Sequence, residues 1–465
     1  MPNPQTDAMK RELADKRLFQ AAQNAAYRYI DDMFDRNVYP AEADLRRLRL
    51  FDEELSNGGC DPEAILQLLD AAGSPNTLQQ TGARYFGFVN GGALPVCLAV
   101  RWLADVWDQN AVLHVASPIS AKIEDVCRKW LTELFGLPQG TAAGFVTGSS
   151  IAAFCALAAA RNRQMENAGW DVRKKGLFGA PFGRIYLADT AHATIFKALS
   201  LLGFGEEQLV LLPTDDQGRV RVDALPANVE PCSIFVLQAG NVNTGAFDEL
   251  EPLCRFARAH GCWVHIDGAF GLWAAASAKL KLLLRGMELA DSWSVDAHKT
   301  LNVPYDCGIV LCRDESALVS AMRASGDYLI HSSERDNMNY VPDMSRRARG
   351  FELWAALKYL GRSGVETLVD RLHDNACYFA RRLQGDGFLV LNDVHFNQLL
   401  VACGSDEATQ TVLKTVQEDR VCWCGGTRWQ GRAAIRISVC NWSTTPEDID
   451  ACVESFGRAK ALANA

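Results

Sequence analysis

The chain has 465 residues, 48% hydrophobic and 22% charged, the balance of an ordinary globular protein too long for one average domain. A formal net charge of −9 argues against a nucleic-acid or anionic-membrane partner, because only a local basic patch could offset phosphate repulsion. The densest basic run, Ser345-Arg346-Arg347-Ala348-Arg349, is short and leads into an apolar helix. Met1 to Arg17 is polar and mixed in charge, without the apolar core of a signal peptide. The 15 cysteines are scattered and show no C-x-x-C spacing, so reduced thiols in a cytoplasmic protein are expected and no metal site.

In chain order, helical apolar spacing predicts helices over Arg17–Phe34 and Asp61–Ala72. A glycine-broken segment, Arg84 to Gly92, follows. Ala93–Val106 carries Arg101 and Asp105, which makes it a buried amphipathic helix and not a membrane span. From there to Cys312, helices alternate with β-rich runs at Ala143–Thr147, Arg184–Ala188, Gln208–Leu212, Ser233–Gln238, Trp263–Asp267, Ser292–Val295 and Gly308–Cys312. Such alternation argues an α/β fold with a mostly parallel sheet covered on both faces. A helix at Phe351–Tyr359 opens a smaller α+β unit with strands near Phe388–Asn392, Gln398–Ala402 and Ala434–Val439. The expected organisation is an N-terminal helical segment over 1–90, a large domain over 91–350 and a small domain over 351–465.

Four polar motifs fall at predicted strand ends. Gly148-Ser149-Ser150 opens the helix Ile151–Arg161, where free amides and two hydroxyls form a phosphate cradle, although a plain helix cap is the commoner use. His192 follows the strand Arg184–Ala188 and could stack on a flat ring. Asp267 ends the strand Trp263–Asp267, at the carboxyl edge where open α/β folds place ligands. Lys299 follows the strand Ser292–Val295. Singly these are ordinary caps and solvated side chains. Together they suit a phosphorylated, electron-withdrawing heterocycle that forms an imine with lysine.

Further motifs extend the series: Trp107-Asp108-Gln109-Asn110, Ala116-Ser117-Pro118, Gly245-Ala246-Phe247-Asp248, Asp267 with Ala269, His298-Lys299, Asn302 to Cys307, Tyr328 and Ser345-Arg346-Arg347. On these residues, from about Arg84 onward, the chain resembles the group II pyridoxal-dependent amino-acid decarboxylases. The resemblance implies the fold type I, aspartate-aminotransferase-like architecture, pyridoxal 5′-phosphate (PLP) as cofactor, and a homodimer with shared active sites. It implies that Lys299 holds the cofactor as a Schiff base and that Asp267 faces the pyridine nitrogen. Ala269 would lie under one ring face and His192 over the other. Gly148, Ser149, Ser150 and His298 would bind phosphate, and Tyr328 would return a proton to Cα. Relatives with phenylalanine at that last place tend to form aldehydes.

The chain departs from the family pattern at three places. Thr300 replaces a usual tryptophan. Asn241-Val242-Asn243 replaces a threonine pair that touches the cofactor. Asp296 stands where relatives often carry asparagine or serine, and a carboxylate beside a phosphate must be turned away, protonated or bridged. Phe86, Phe88 and Asn90 are expected to wall the substrate, with Gly91 and Gly92 leaving room for an aromatic or medium-sized L-amino acid. Decarboxylation is the leading reading. Another PLP reaction on the same scaffold (oxidative aldehyde formation, transamination or a lyase step) and a non-catalytic relative stay open beside it.

Overall fold

A computed structural model describes residues 4–324 and 334–463. Seven strands, β1 (Ala142–Val146), β2 (Ile185–Ala188), β3 (Leu209–Leu212), β4 (Ile234–Gln238), β5 (Trp263–Asp267), β6 (Ser292–Asp296) and β7 (Gly308–Cys312), form one sheet in the order β1-β7-β6-β5-β4-β2-β3. Its pairs are parallel from β6 to β3, while β7 runs antiparallel to both β1 and β6. This is the mixed, mostly parallel sheet of the PLP-dependent fold type I.

Both faces of the sheet are apolar, and period-two alternation decides which residue goes where. Ile185, Leu187, Ile234, Val236, Val310 and Cys312 pack on one side. Tyr186, Phe235, Leu237, Val264, Ile266, Ile309 and Leu311 pack on the other. The helix Ser149–Asn167 lies across the first face, against β1, β5, β6 and β7. Its contact row of Ala152, Ala153, Ala156, Ala159 and Ala160 is small, which lets the backbone approach closely. Gly308 at the start of β7 touches Gly148, and a Cβ on Gly308 would overlap the Gly148 backbone.

A second sheet, β8 (Leu389–Val390), β9 (Gln398–Ala402), β10 (Gly425–Trp429) and β11 (Arg432–Ser438), is antiparallel in the order β10-β11-β9-β8. β10 was not expected from the sequence, because it opens on two glycines and lacks an apolar alternation. Its hairpin turn, Gln430-Gly431, has φ of 49° and 80°, the left-handed pair that a two-residue connection to β11 requires. The helix predicted over Phe351–Tyr359 continues as Gly350–Gly385 through a kink at Gly361, φ 61°. Beyond that glycine, Val365, Leu368, Val369 and Leu372 keep a buried stripe going. The basic run near Arg346 is consumed internally: Arg346 lies 3.5 Å from the buried Glu124, and Arg349 bonds Asp306 at 2.9 Å.

Asn302 ties three segments together. Buried, with φ 57°, it accepts the Gly92 amide at 2.6 Å and the Trp442 amide at 3.0 Å, and donates to the Cys440 carbonyl at 3.0 Å. The Lys299 loop is thereby joined to the 84–92 segment and to the end of β11. Asn302→Ala leaves two buried amides unmatched, so a loss of about 1–3 kcal/mol is expected. A lower chemical-denaturation midpoint than wild type checks this.

Candidate active site

Alternation along β5 puts Trp263, His265 and Asp267 on the face beneath the helix Ser149–Asn167. Alternation along β6 puts Ser292, Ser294 and Asp296 beside them, with His265 opposite Ser292 and Asp267 opposite Ser294. The result is a buried polar file within an apolar sheet. Asp267 Oδ1 accepts from Ser294 Oγ and from the Ala269 amide, both at 3.2 Å. An ionised carboxylate only accepts, so Ser294 must donate to it and in turn accept from His265 Nε2 at 3.5 Å. That leaves His265 Nδ1 to accept from Ser292 Oγ at 3.0 Å, and Ser292 to accept from the indole of Trp263 at 2.9 Å. Burial depresses the His265 pKa from 6.5 to about 4, which keeps the ring neutral in this chain of donors.

Asp296 ends β6 one strand over. Its Oδ1 accepts the Ser149 amide at 2.6 Å, and its Oδ2 lies 3.0 Å from Lys299 Nζ and 3.6 Å from His298 Nε2. Burial alone would raise this carboxyl, but Lys299, His298 and the Ser149 donor together hold it below its ordinary value. It is therefore ionised and bridged, the last of the three options the sequence left. Burial lowers His298, so that imidazole is neutral near pH 7 and the Lys299 contact carries the charge pairing. The Ser150 amide, next along the helix start, has no partner among the described residues.

His192 caps the helix Ala193–Leu201. Its Nδ1 accepts the Thr194 amide at 3.3 Å, which fixes the neutral tautomer with the proton on Nε2. Burial lowers its pKa, and the same ring lies in the field of Asp267, Lys299, Arg436 and Asp296. The carboxyl ends of the strands thus gather His192, Asp267, Asp296, His298 and Lys299. Two further residues, unforeseen from sequence, join them. Gln238 sits beside Asp267 in the sheet register, with a buried Nε2 that has no partner. The Arg436 side chain, on β11, makes no hydrogen bond or ion pair among the described residues, and burial lowers its pKa with no counter-charge beside it. An arginine on a late strand of another sheet leaves no local signal that it faces this site.

Several expectations change here. Phe86 does not wall a pocket: it is 1% exposed, packed edge-on against Phe379 in the core of the small sheet. Phe88 is 60% exposed and stacks on Trp423, after left-handed φ at Phe88 and Val89 turns the chain. Asn90 accepts from Tyr305 Oη at 2.6 Å, holding a ring that stacks 4.3 Å from His298. Gly91 and Gly92 do not leave room. A Cβ on Gly91 would overlap the Lys299 carbonyl, and one on Gly92 would crowd the Asn441 side chain at 2.5 Å. Close approach of the Lys299 backbone to Gly91 and of the Asn441 side chain to Gly92 fills the space, which removes the support the glycines lent to a bulky substrate. Asn241 is spent on the Asn243 amide of its own loop at 2.9 Å and on Thr190, on the loop after β2, at 3.2 Å. Thr300 bonds the Phe270 carbonyl at 2.9 Å. Tyr328 lies outside the described residues.

The pyridoxal-dependent decarboxylase conserved domain matches residues 63–401. The chain belongs to this family of PLP-dependent carboxy-lyases. It is 28% identical over 342 residues to an aromatic-L-amino-acid decarboxylase of Bacillus atrophaeus, covering 71% of this chain and 68% of the relative. It is 27% identical over 365 residues to the acidic amino acid decarboxylase GADL1 of Mus musculus, covering 76% and 65%. In fold it is similar to the crystal structure of Oryza sativa TDC with PLP and tryptamine, with a TM-score of 0.89, 19% identity and coverage of 97% and 98%. Mouse CSAD gives 0.88 at 20% identity, covering 96% and 99%. The donor set fits PLP. An amine, a strand-end carboxylate, an imidazole and a helix start with a free amide would suit its aldehyde, pyridine nitrogen, ring and phosphate, and the orphaned Gln238 amide adds a spare donor.

Two outcomes follow from the polar file. Ser294→Ala strips Asp267 of one donor, and an increase of about tenfold in the cofactor's dissociation constant is expected, measured by fluorescence titration. The folded His265 pKa lies below its ordinary value, so the unfolded chain takes the proton first. Its contribution to stability is complete above pH 6.5 and is lost as pH falls toward about 4. His265→Gln should flatten the fall in denaturation midpoint across that window.

Proposed function

We propose that the chain removes the α-carboxylate of an L-amino acid as CO2, with Lys299, Asp267 and His192 holding the cofactor and Tyr328 returning a proton to Cα. The observation that carries this reading is the convergence of Lys299, Asp267 and His192 on one sheet edge. PLP, when bound, supplies an electron sink for the pair left by the departing carboxylate. Lys299 offers the primary amine. Asp267, which accepts from Ser294 Oγ and from the Ala269 amide, would face the pyridine nitrogen and hold a proton there. His192 presents a ring that its own helix cap has oriented. Gly148, Ser149, Ser150 and His298 take the phosphate, and Ala269 is the small residue on the ring's other side. Arg436 supplies the cation for a substrate carboxylate, since a half-buried guanidinium without a counter-charge favours an anion.

Product analysis over a panel of aromatic, acidic and basic L-amino acids tests the reading. Amine and CO2 are expected from at least one of them, and a PLP-loaded protein that releases neither from any would sink it. Arg436→Met should raise KM. If every substrate suffers alike, Arg436 takes the α-carboxylate; if only acidic ones do, it takes the side chain's. Tyr328→Phe is expected to lower amine formation by about 10²–10⁴-fold, the usual weight of a positioned proton donor, with aldehyde appearing in its place.

Two copies of the chain form the working unit in this reading. The helix Arg17–Asp32 buries none of its residues, and Phe19, Tyr27 and Ile30 stand exposed on it. Trp102, Leu103 and Val106 are exposed on the helix Pro95–Trp107, and the Tyr27 and Trp102 rings meet at 6.0 Å. So much bare apolar surface suits a partner face. Light scattering should give the mass of a dimer, and Ile30→Asp should shift it toward the monomer. Among the described residues no helix is long and apolar enough to cross a membrane.

A further inference from the structure

Asp296 is the charged group of the site to which decarboxylation gives no task. Its side chain is 2% exposed and fixed from every side. The Asp296 amide donates to the Ala269 carbonyl at 2.8 Å, and its carbonyl accepts from the Trp273 indole at 2.9 Å. Oδ1 is committed to the Ser149 amide at 2.6 Å, so Oδ2 is left facing Lys299 Nζ at 3.0 Å.

We infer that Asp296 is the counter-ion of the Lys299 nitrogen, a positioning residue that keeps this nitrogen protonated and aimed while the cofactor is joined to it. The inference rests on Lys299 being the residue that takes the cofactor. An amine that condenses with an aldehyde expels water and leaves a C=N nitrogen able to carry one proton. The positive charge therefore stays at the tip of the same side chain. A fixed carboxylate beside that charge makes the proton harder to lose, by about 1–3 pH units for an opposite charge within a few ångströms.

The other groups around this nitrogen do not substitute for Asp296. Asp267, on β5, is engaged by Ser294 and Ala269. Asp306, on the loop after Lys299, is bonded by Arg349 at 2.9 Å. Arg436 on β11 is cationic and acts in the opposite direction. Burial keeps His192 and His298 neutral near pH 7, and raises the Tyr305 phenol and the Cys440 thiol. An amide at position 296 can still accept from Ser149 while losing the charge, so Asp296→Asn is the clean variant.

The visible absorbance of the holoenzyme reports the protonation of the lysine–cofactor nitrogen. In wild type no transition is expected across the neutral range. In Asp296→Asn the midpoint should fall by about 1–3 pH units, with the cofactor still bound. Equal midpoints in the two proteins overturn the inference, as does a lower melting temperature with an unmoved midpoint, the mark of a purely structural role. If the variant does not fold, wild type alone decides: loss of the proton near neutrality overturns the inference, and a proton retained well into alkaline pH supports it. A wild-type spectrum unchanged by Lys299→Ala would instead remove the assignment of Lys299, whatever Asp296 does.

Discussion

Two carboxylates buried under a helix start are the constraint on which the site depends. An unpaired buried charge costs several kcal/mol, so each must have a complete set of donors already in the fold. Asp267 draws its donors from the neighbouring strand and from the turn after its own. Asp296 draws its own from the first amide of the helix 149–167 and from Lys299. Both solutions need β5 and β6 parallel and in register, because a one-residue slip would turn Ser292, Ser294 and Asp296 to the opposite face. The sheet's hydrogen-bond ladder is thus also what keeps the two buried charges tolerable.

The same economy governs the close approach of distant segments. Small residues recur where segments from distant parts of the chain meet over the lysine: Gly91 on the Lys299 carbonyl, Gly92 on Asn441, Gly308 on Gly148. Asn302 then stitches those segments together with side-chain bonds. The surroundings of Lys299 are therefore built by contacts between the large sheet, the 84–92 segment and the small sheet. Arg436 arrives by that route, which is why its role depends on how the two sheets pack and not on its own neighbours in sequence.

A neutral histidine in the polar file has a further consequence. With His265 uncharged, the line from Trp263 to Asp267 consists of oriented dipoles that end on a single anion. Such a line supports the negative charge of Asp267 without adding a competing positive charge to the interior. His192 is treated alike, its cap bond engaging Nδ1 and leaving the proton on Nε2.

By itself the sequence determined the alternation of strands and helices, the seven strands of the large sheet, and the order in which cradle, imidazole, carboxylate and lysine reach the strand ends. These are local properties, set by side-chain period and by turn and cap chemistry, and the family motifs reinforced them. Tertiary structure alone decided the rest. It drew Phe86 into the small core, tied Asn241 to Asn243 and Thr190, made Gly91 and Gly92 sites of close contact, and recruited Gln238 and Arg436. It also chose the bridged state for Asp296, because whether a carboxylate is a threat to a phosphate or a partner to a lysine depends on which donors lie within about 3 Å, a distance between segments that no single stretch of sequence contains.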